Sequence, residues 1–243
     1  MDGLLSVTAL QMAAEATQTE IIGVSPSSFP IIHDPSRYSS PLSCSWPDLV
    51  LRRMQENPFT ANIAVLNQAA GGNCILYDYH GPNALGRIDR DVLAQSGIKY
   101  TMIFEGVNDI GTAPATPAAQ QLVGDRLIQA YQQIITRVHA FGLPVFAATL
   151  TPFGAPNDTI QPYADPLREQ TRVRVNDWMM GSGGFDAVID FASVVADPTN
   201  KTRLNPVYDS GDFLHPNVAG YMAMAAAFPI ELFERYASGV NGF

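Results

Sequence analysis

Short apolar runs alternate along this chain with longer stretches whose apolar residues recur at helical spacing. Asn62 to Asn67, Lys99 to Phe104, Leu143 to Ala148 and Ala187 to Asp190 are runs of four to six residues bounded by turn-forming residues, which predicts buried strands. Between them the pattern predicts a helix capped by Ser45 and running through Gln55, a short helix near Ala84 to Leu93, and a long helix from Pro117 to Phe141 closed by Gly142. Further helices are expected from Asp165 to Met180 and from Val218 to Tyr236. Helices alternating with short apolar strands imply a parallel sheet covered on both faces, a three-layer α/β/α domain of flavodoxin-like type. In such sheets ligands sit beyond the carboxyl ends of the strands.

Three segments carry groups suited to chemistry at that edge. Asp212-Phe213-Leu214-His215-Pro216-Asn217 sets a carboxylate three residues before a histidine. In one turn Asp212 can reach Nδ1 of His215, fix its tautomer and leave Nε2 to take a proton from a nucleophile. The strand at Ile63 runs into Gln68-Ala69-Ala70-Gly71-Gly72-Asn73, where glycine lets a backbone N–H approach a ligand, and Gly72 is the favoured donor. The strand at Met102 ends in Glu105-Gly106-Val107-Asn108-Asp109, so that Asn108 offers a neutral amide to a developing oxyanion. Each segment alone also reads as ordinary turn and cap chemistry.

Taken in order, Gly-Gly-Asn, Gly-x-Asn-Asp and Asp-x-x-His-Pro-Asn resemble the SGNH hydrolases, also called GDSL-type esterases and lipases. The resemblance extends to Trp46-Pro47-Asp48-Leu49, to the segment Gly81 to Asp91, to Ala147 to Phe153 and to Tyr208 to Asp212, all similar to extracellular microbial members, and it covers the chain from Trp46 to near Tyr236. It implies that Gly72 and Asn108 help form an oxyanion hole, that His215 is the general base and that Asp212 orients it. It also implies a serine nucleophile in a Gly-Asp-Ser block after the first strand, and this sequence has no Gly-Asp-Ser. Upstream of Trp46 a short β-branched run leads to Gly23-Val24-Ser25, which makes Ser25 the positional stand-in. Pro26 follows it, has no N–H and disfavours helical geometry at Ser25, so the expected strand-to-helix turn is not written here.

From Ser25 to Ser45 there are eight serines and four prolines with little periodicity, the composition of a segment not selected to pack. The chain therefore divides into a divergent segment, 1–45, and a hydrolase-like domain, 46–243. Two functional readings follow. One is a serine ester hydrolase acting on short acyl or acetyl esters, since no strongly apolar lid segment is apparent. The other is an inactive relative or truncated gene product that has lost its nucleophile.

Composition narrows the partners. A formal net charge of −9, with 14 Lys and Arg against 23 Asp and Glu, argues against nucleic acid. No apolar run is long enough to cross a bilayer. The expected partner is a small ester or an acetylated carbohydrate, with the protein a monomer. No cofactor is called for, and no residue spacing suggests a metal site; His33, His80 and His139 are isolated. Cys44 and Cys74 could pair or stay as free thiols. The resemblance implies an extracellular protein, although Met1-Asp2-Gly3-Leu4-Leu5 is not a convincing export signal; Asn157-Asp158-Thr159 and Asn200-Lys201-Thr202 are sequons. Gly111 to Pro117 and Phe153 to Pro166 are the expected cleft walls. Tyr163 and Phe153 there could touch an acyl or sugar group or serve as loop packing.

Overall fold

The computed structural model describes residues 45–241 and the backbone of residues 5–11. The predicted strands appear as β2 (Ile63–Asn67), β3 (Ile98–Phe104), β4 (Val145–Ala148) and β5 (Ala187–Ile189). A further strand, β1 (Leu5–Gln11), lies between β2 and β3 and pairs in parallel with both, Leu5 opposite Ile63 and Gln11 opposite Phe104. The hydrophobic pattern does not announce it. Two parallel neighbours supply the backbone partners that a seven-residue segment lacks by itself. The sheet order β2-β1-β3-β4-β5 is that of the flavodoxin-like doubly wound fold, with the switch point beside β1.

Side chains alternate across the sheet with the period of two that a buried strand requires. Ile103, Val145 and Ala147 face a core shared with α4 (Pro117–Ala140) and α5 (Pro166–Gly181). Tyr100, Met102, Phe104, Phe146 and Ala148 face the opposite core, which holds α1 (Trp46–Glu56). The three layers expected from the pattern are therefore present. Pro117 at the start of α4 and Pro166 at the start of α5 fill positions whose N–H would be unpaired anyway, and the Thr116 and Asp165 side chains cap the two helices.

Several elements differ from the expectation. The Ala84 to Leu93 helix is α2 (Ala84–Ile88) followed by one π turn over Asp89–Leu93. The C-terminal helix is broken into α7 (Val218–Ala227) and α8 (Glu231–Arg235), because Pro229 can neither donate to nor fit the interior of a continuous helix. Val107–Thr112, expected as loop, is a helix, α3. A short helix, α6 (Phe191–Val195), follows β5, and β6 (Ala196–Asp197) pairs with β7 (Asn200–Leu204) in a small antiparallel ribbon outside the main sheet.

Candidate active site

The segment from Tyr208 to Asn217 folds on itself before α7. Ser210 N–H donates to His215 O at 2.9 Å and Asn217 N–H to Tyr208 O at 2.7 Å, while the Asn217 side chain accepts from Gly220 N–H and caps the helix. Asp209 receives the amides of Gly211 and Phe213, and Phe213 is held at φ 64°, a conformation uncommon for a non-glycine residue. This strained turn brings Asp212 under His215. The Asp212 carboxylate accepts the ring Nδ1–H of His215 in a short contact, and its other oxygen accepts the amides of His215 at 2.8 Å and Leu214 at 2.9 Å. Burial opposes ionisation, but the hydrogen bonds from His215 and Leu214 outweigh it and hold the Asp212 carboxyl below its ordinary value. The result is an imidazole oriented by an ionised carboxylate. His215 Nε2 is buried and has no hydrogen-bond partner among the described residues.

Gly72 and Asn108 come together on the other side. Gly72 lies in the turn closed by Asn73 N–H donating to Ala70 O, at φ +71°, which favours glycine. Asn108 sits in the first turn of α3, and its Nδ2 donates to Asn73 O at 3.0 Å. The sharp exit from β3 needs Gly106, whose φ is +128° and where an added Cβ would lie 2.6 Å from the Tyr131 hydroxyl. Asp109, the next residue of α3, accepts the amides of Ile75 and Leu76, both at 2.9 Å, and so ties the loop after β2 to the loop after β3. Arg87 of α2 is buried and donates to Asn73 Oδ1 from Nε at 3.0 Å and from Nη2 at 2.8 Å; Asn73 Nδ2 donates to Pro82 O at 2.9 Å. The backbone oxygen and both side-chain polar atoms of Asn73 are thereby held by residues outside the turn: Asn108, Arg87 and Pro82.

A thread of hydrogen bonds joins the two halves. Gln161 Nε2 donates to Asp212 O at 2.9 Å, Gln161 Oε1 accepts from Tyr163 N–H at 3.1 Å, and the Tyr163 hydroxyl donates to Asn108 Oδ1 at 3.0 Å. Gly111 makes room for that ring, since a Cβ there would lie 2.3 Å from Tyr163 carbons. With its carbonyl occupied by Tyr163 and one amide hydrogen on Asn73, the Asn108 side chain has a defined orientation. Phe153 packs edge-on against Tyr163, ring centroids 6.2 Å apart. The motifs point to Asn108 and His215, but nothing in the local pattern marks Gln161 or Tyr163 as their link.

Ser25 and Cys44 lie outside the described residues. Cys74 is a free, buried thiol, pushed up to about 12 chiefly by burial. Among the described residues no helix is long and apolar enough to cross a membrane. A cavity of about 650 Å³ opens beside α4, walled by Leu76, Tyr77 and Leu85; it touches Asp109 and Thr112 but neither Asn108 nor His215, so it adjoins the site without containing it.

The GDSL-like lipase/acylhydrolase family model matches residues 34–223. No protein of the curated set matches the chain in sequence. Among solved structures, a G-D-S-L family lipolytic protein from Desulfitobacterium hafniense superposes with a TM-score of 0.59 at 18% identity, covering 91% of this chain and 96% of its own. An acetylxylan esterase from Geobacillus stearothermophilus superposes with a TM-score of 0.58 at 18% identity, covering 92% of this chain and 91% of its own. These likenesses carry the fold, which is the three-layer parallel arrangement read from the sequence.

Proposed function

The chain belongs to the GDSL-like lipase/acylhydrolase family, and from that premise we propose that it is a serine hydrolase of carboxylic esters that takes short acyl or acetyl groups. The observation that carries this reading is the state of His215: Nδ1 is fixed on an ionised Asp212, while Nε2 is buried with no partner among the described residues. A buried imidazole nitrogen left without a partner costs free energy unless a reacting group uses it. A serine hydroxyl attacks the ester carbonyl and passes its proton to Nε2; the Gly72 N–H and the Asn108 amide hold the resulting oxyanion. Collapse expels the alcohol, which takes the proton back from Nε2. Water then attacks the acyl-serine, passing a proton to His215, and collapse releases the acid while the departing serine oxygen takes that proton back.

Ser25 is the proposed nucleophile because it is the first serine after β1. Acetylated carbohydrate is the proposed substrate class, by analogy with the acetylxylan esterase that shares the fold. An extracellular setting is proposed with it, supported by the exposure of both sequon asparagines, Asn157 and Asn200. A second reading has its own support: β1 runs straight into Met12-Ala13-Ala14-Glu15, where the family pattern calls for Gly-Asp-Ser. Such a chain would be a relative that keeps the base and oxyanion donors without a nucleophile. Labelling the purified full chain with a fluorophosphonate, followed by peptide mapping, separates the two. A label on Ser25 that His215→Ala abolishes is the expected result, and folded protein that takes no label would overturn the hydrolase reading.

A further inference from the structure

The loop between Leu76 and Asn83 carries an aromatic ring that the chemistry above does not use. Tyr79 is 57% exposed, yet the loop beneath it is firmly built. Asp78 Oδ1 accepts both Asn83 N–H at 2.8 Å and Asn83 Nδ2 at 2.7 Å, Tyr79 N–H donates to Gly81 O at 3.2 Å, and Asn83 Oδ1 caps α2 through Gly86 N–H at 2.7 Å. Tyr77 is anchored through its hydroxyl to Thr112 Oγ1. The ring is linked through His80 to Gly72, the proposed backbone donor to the oxyanion. It meets His80 edge-on with centroids 4.2 Å apart, and the His80 ring rests on Gly72 so closely that a Cβ there would lie 2.5 Å from His80 Cδ2. Tyr79 also acts electrostatically on Tyr163, whose phenol is raised to about 12 by burial above all, then by Cys74 and by Tyr79.

We propose that Tyr79 is a stacking platform for a pyranose unit in the alcohol part of the substrate, with Asp78 hydrogen-bonding a sugar hydroxyl. This rests on the reading of the protein as an esterase of acetylated carbohydrate, and adds the residue that selects the sugar. A pyranose offers an apolar C–H face that suits one exposed ring and a rim of hydroxyls that suits an exposed carboxylate. An acyl chain would require enclosing apolar walls, whereas Tyr79 stands 57% exposed. Asp78 Oδ2 has no hydrogen bond among the described residues, and the hydrogen bonds from Asn83 hold the carboxyl below its ordinary value, so it accepts rather than donates. Because the loop is already ordered, little conformational freedom is lost when the sugar docks.

The test compares full-length wild type, Tyr79→Ala and Tyr79→Phe on a partially acetylated xylo-oligosaccharide and on 4-nitrophenyl acetate. Tyr79→Ala is expected to lower the ratio of kcat/KM for the oligosaccharide over that for the nitrophenyl ester roughly tenfold, through KM, and Tyr79→Phe to restore most of it. An unchanged ratio overturns the proposal. Titration calorimetry with the unacetylated xylo-oligosaccharide gives a reading that needs no turnover. Binding by wild type that is lost in Tyr79→Ala supports the platform even if neither ester is hydrolysed, whereas no binding by folded wild type overturns it.

Discussion

Replacing Glu105 by glutamine should flatten a loss of stability that the native protein suffers as pH rises. Glu105 follows β3, is buried, and has no hydrogen-bond partner on either carboxyl oxygen among the described residues. The ionisable groups around it are Arg87, whose Nη2 is 3.8 Å away, Asp109 of α3, Tyr131 of α4 and Cys74 of the loop after β2. Burial raises its pKa from 4.5 to about 8; Arg87 pulls it down and Asp109 pushes it further up. A raised acid pKa means that the folded protein keeps a proton the unfolded chain has already released. The stability this supplies is complete below 4.5 and is lost as pH climbs to about 8. At about 1.4 kcal/mol per pH unit, the window amounts to roughly 5 kcal/mol, a large share of the ~5–15 kcal/mol that stabilises a typical domain. Asp109, raised from 3.8 to about 6 chiefly by burial, loses its own contribution over a lower window, and that loss is common to both proteins. Glutamine does not titrate, but its amide carries two N–H donors where the neutral carboxyl carries one O–H, and leaving the extra donor unpaired costs about 1–3 kcal/mol at every pH. The variant is therefore expected to be the less stable protein near pH ~5, with the gap closing or reversing by pH ~8.5, as read from urea midpoints. Parallel stability profiles for the two proteins would refute the reasoning, because they would mean that the Glu105 carboxylate is already ionised in the fold.

Other outcomes follow from the same geometry. Asn108→Ala should lower kcat on an acetyl ester by about 10²–10³-fold, with a lower melting temperature as well because Asn73 O and the Tyr163 hydroxyl lose their partner, and a fall in kcat under threefold in the folded variant would remove Asn108 from the oxyanion hole. Asp212→Asn should cost roughly 10²–10⁴-fold in kcat, since an amide cannot stabilise the imidazolium; undiminished turnover would count against His215 as the base. Arg87→Met strands Asn73 Oδ1 and the Gln68 carbonyl, and should destabilise the fold by about 3–5 kcal/mol in denaturant titration. Gly111→Ala pushes the Tyr163 ring away from Asn108 Oδ1, with an expected two- to tenfold loss of kcat at about the worth of one hydrogen bond; equal kcat would show that Tyr163 does not orient Asn108.

What the sequence revealed follows the range of the interactions involved. Asp212 and His215 meet within a single turn, so their spacing alone carried the pair. Gly72 and Asn108 each follow a strand whose apolar run is plain, and a parallel sheet delivers such residues to one edge. Glu105 and Asp109 stand in the same motif, but their perturbed acidity comes from burial that no local pattern expresses. Gln161 and Tyr163 act on partners more than fifty residues distant, across a loop whose composition reads as generic turn chemistry. The strand Leu5–Gln11 escapes notice because its backbone partners are all supplied by β2 and β3. The break at Pro229 was legible, since proline inside a helical pattern ends it, but the apolar periodicity on either side overrode that signal.

The Gln161–Tyr163 thread also limits how this protein can diverge. Surface loops are ordinarily the places where insertions and deletions accumulate, because little depends on their length. Here Gln161 and Tyr163, two residues apart, work as a ruler: the first grips the turn that bears His215, the second grips Asn108, and the gap between the proposed proton acceptor and the proposed oxyanion donor is spanned by this short stretch. An insertion or deletion between these two residues would leave every catalytic candidate intact and still detune the site, so variation in substrate range has to be written elsewhere, in side chains along the rim such as Tyr79.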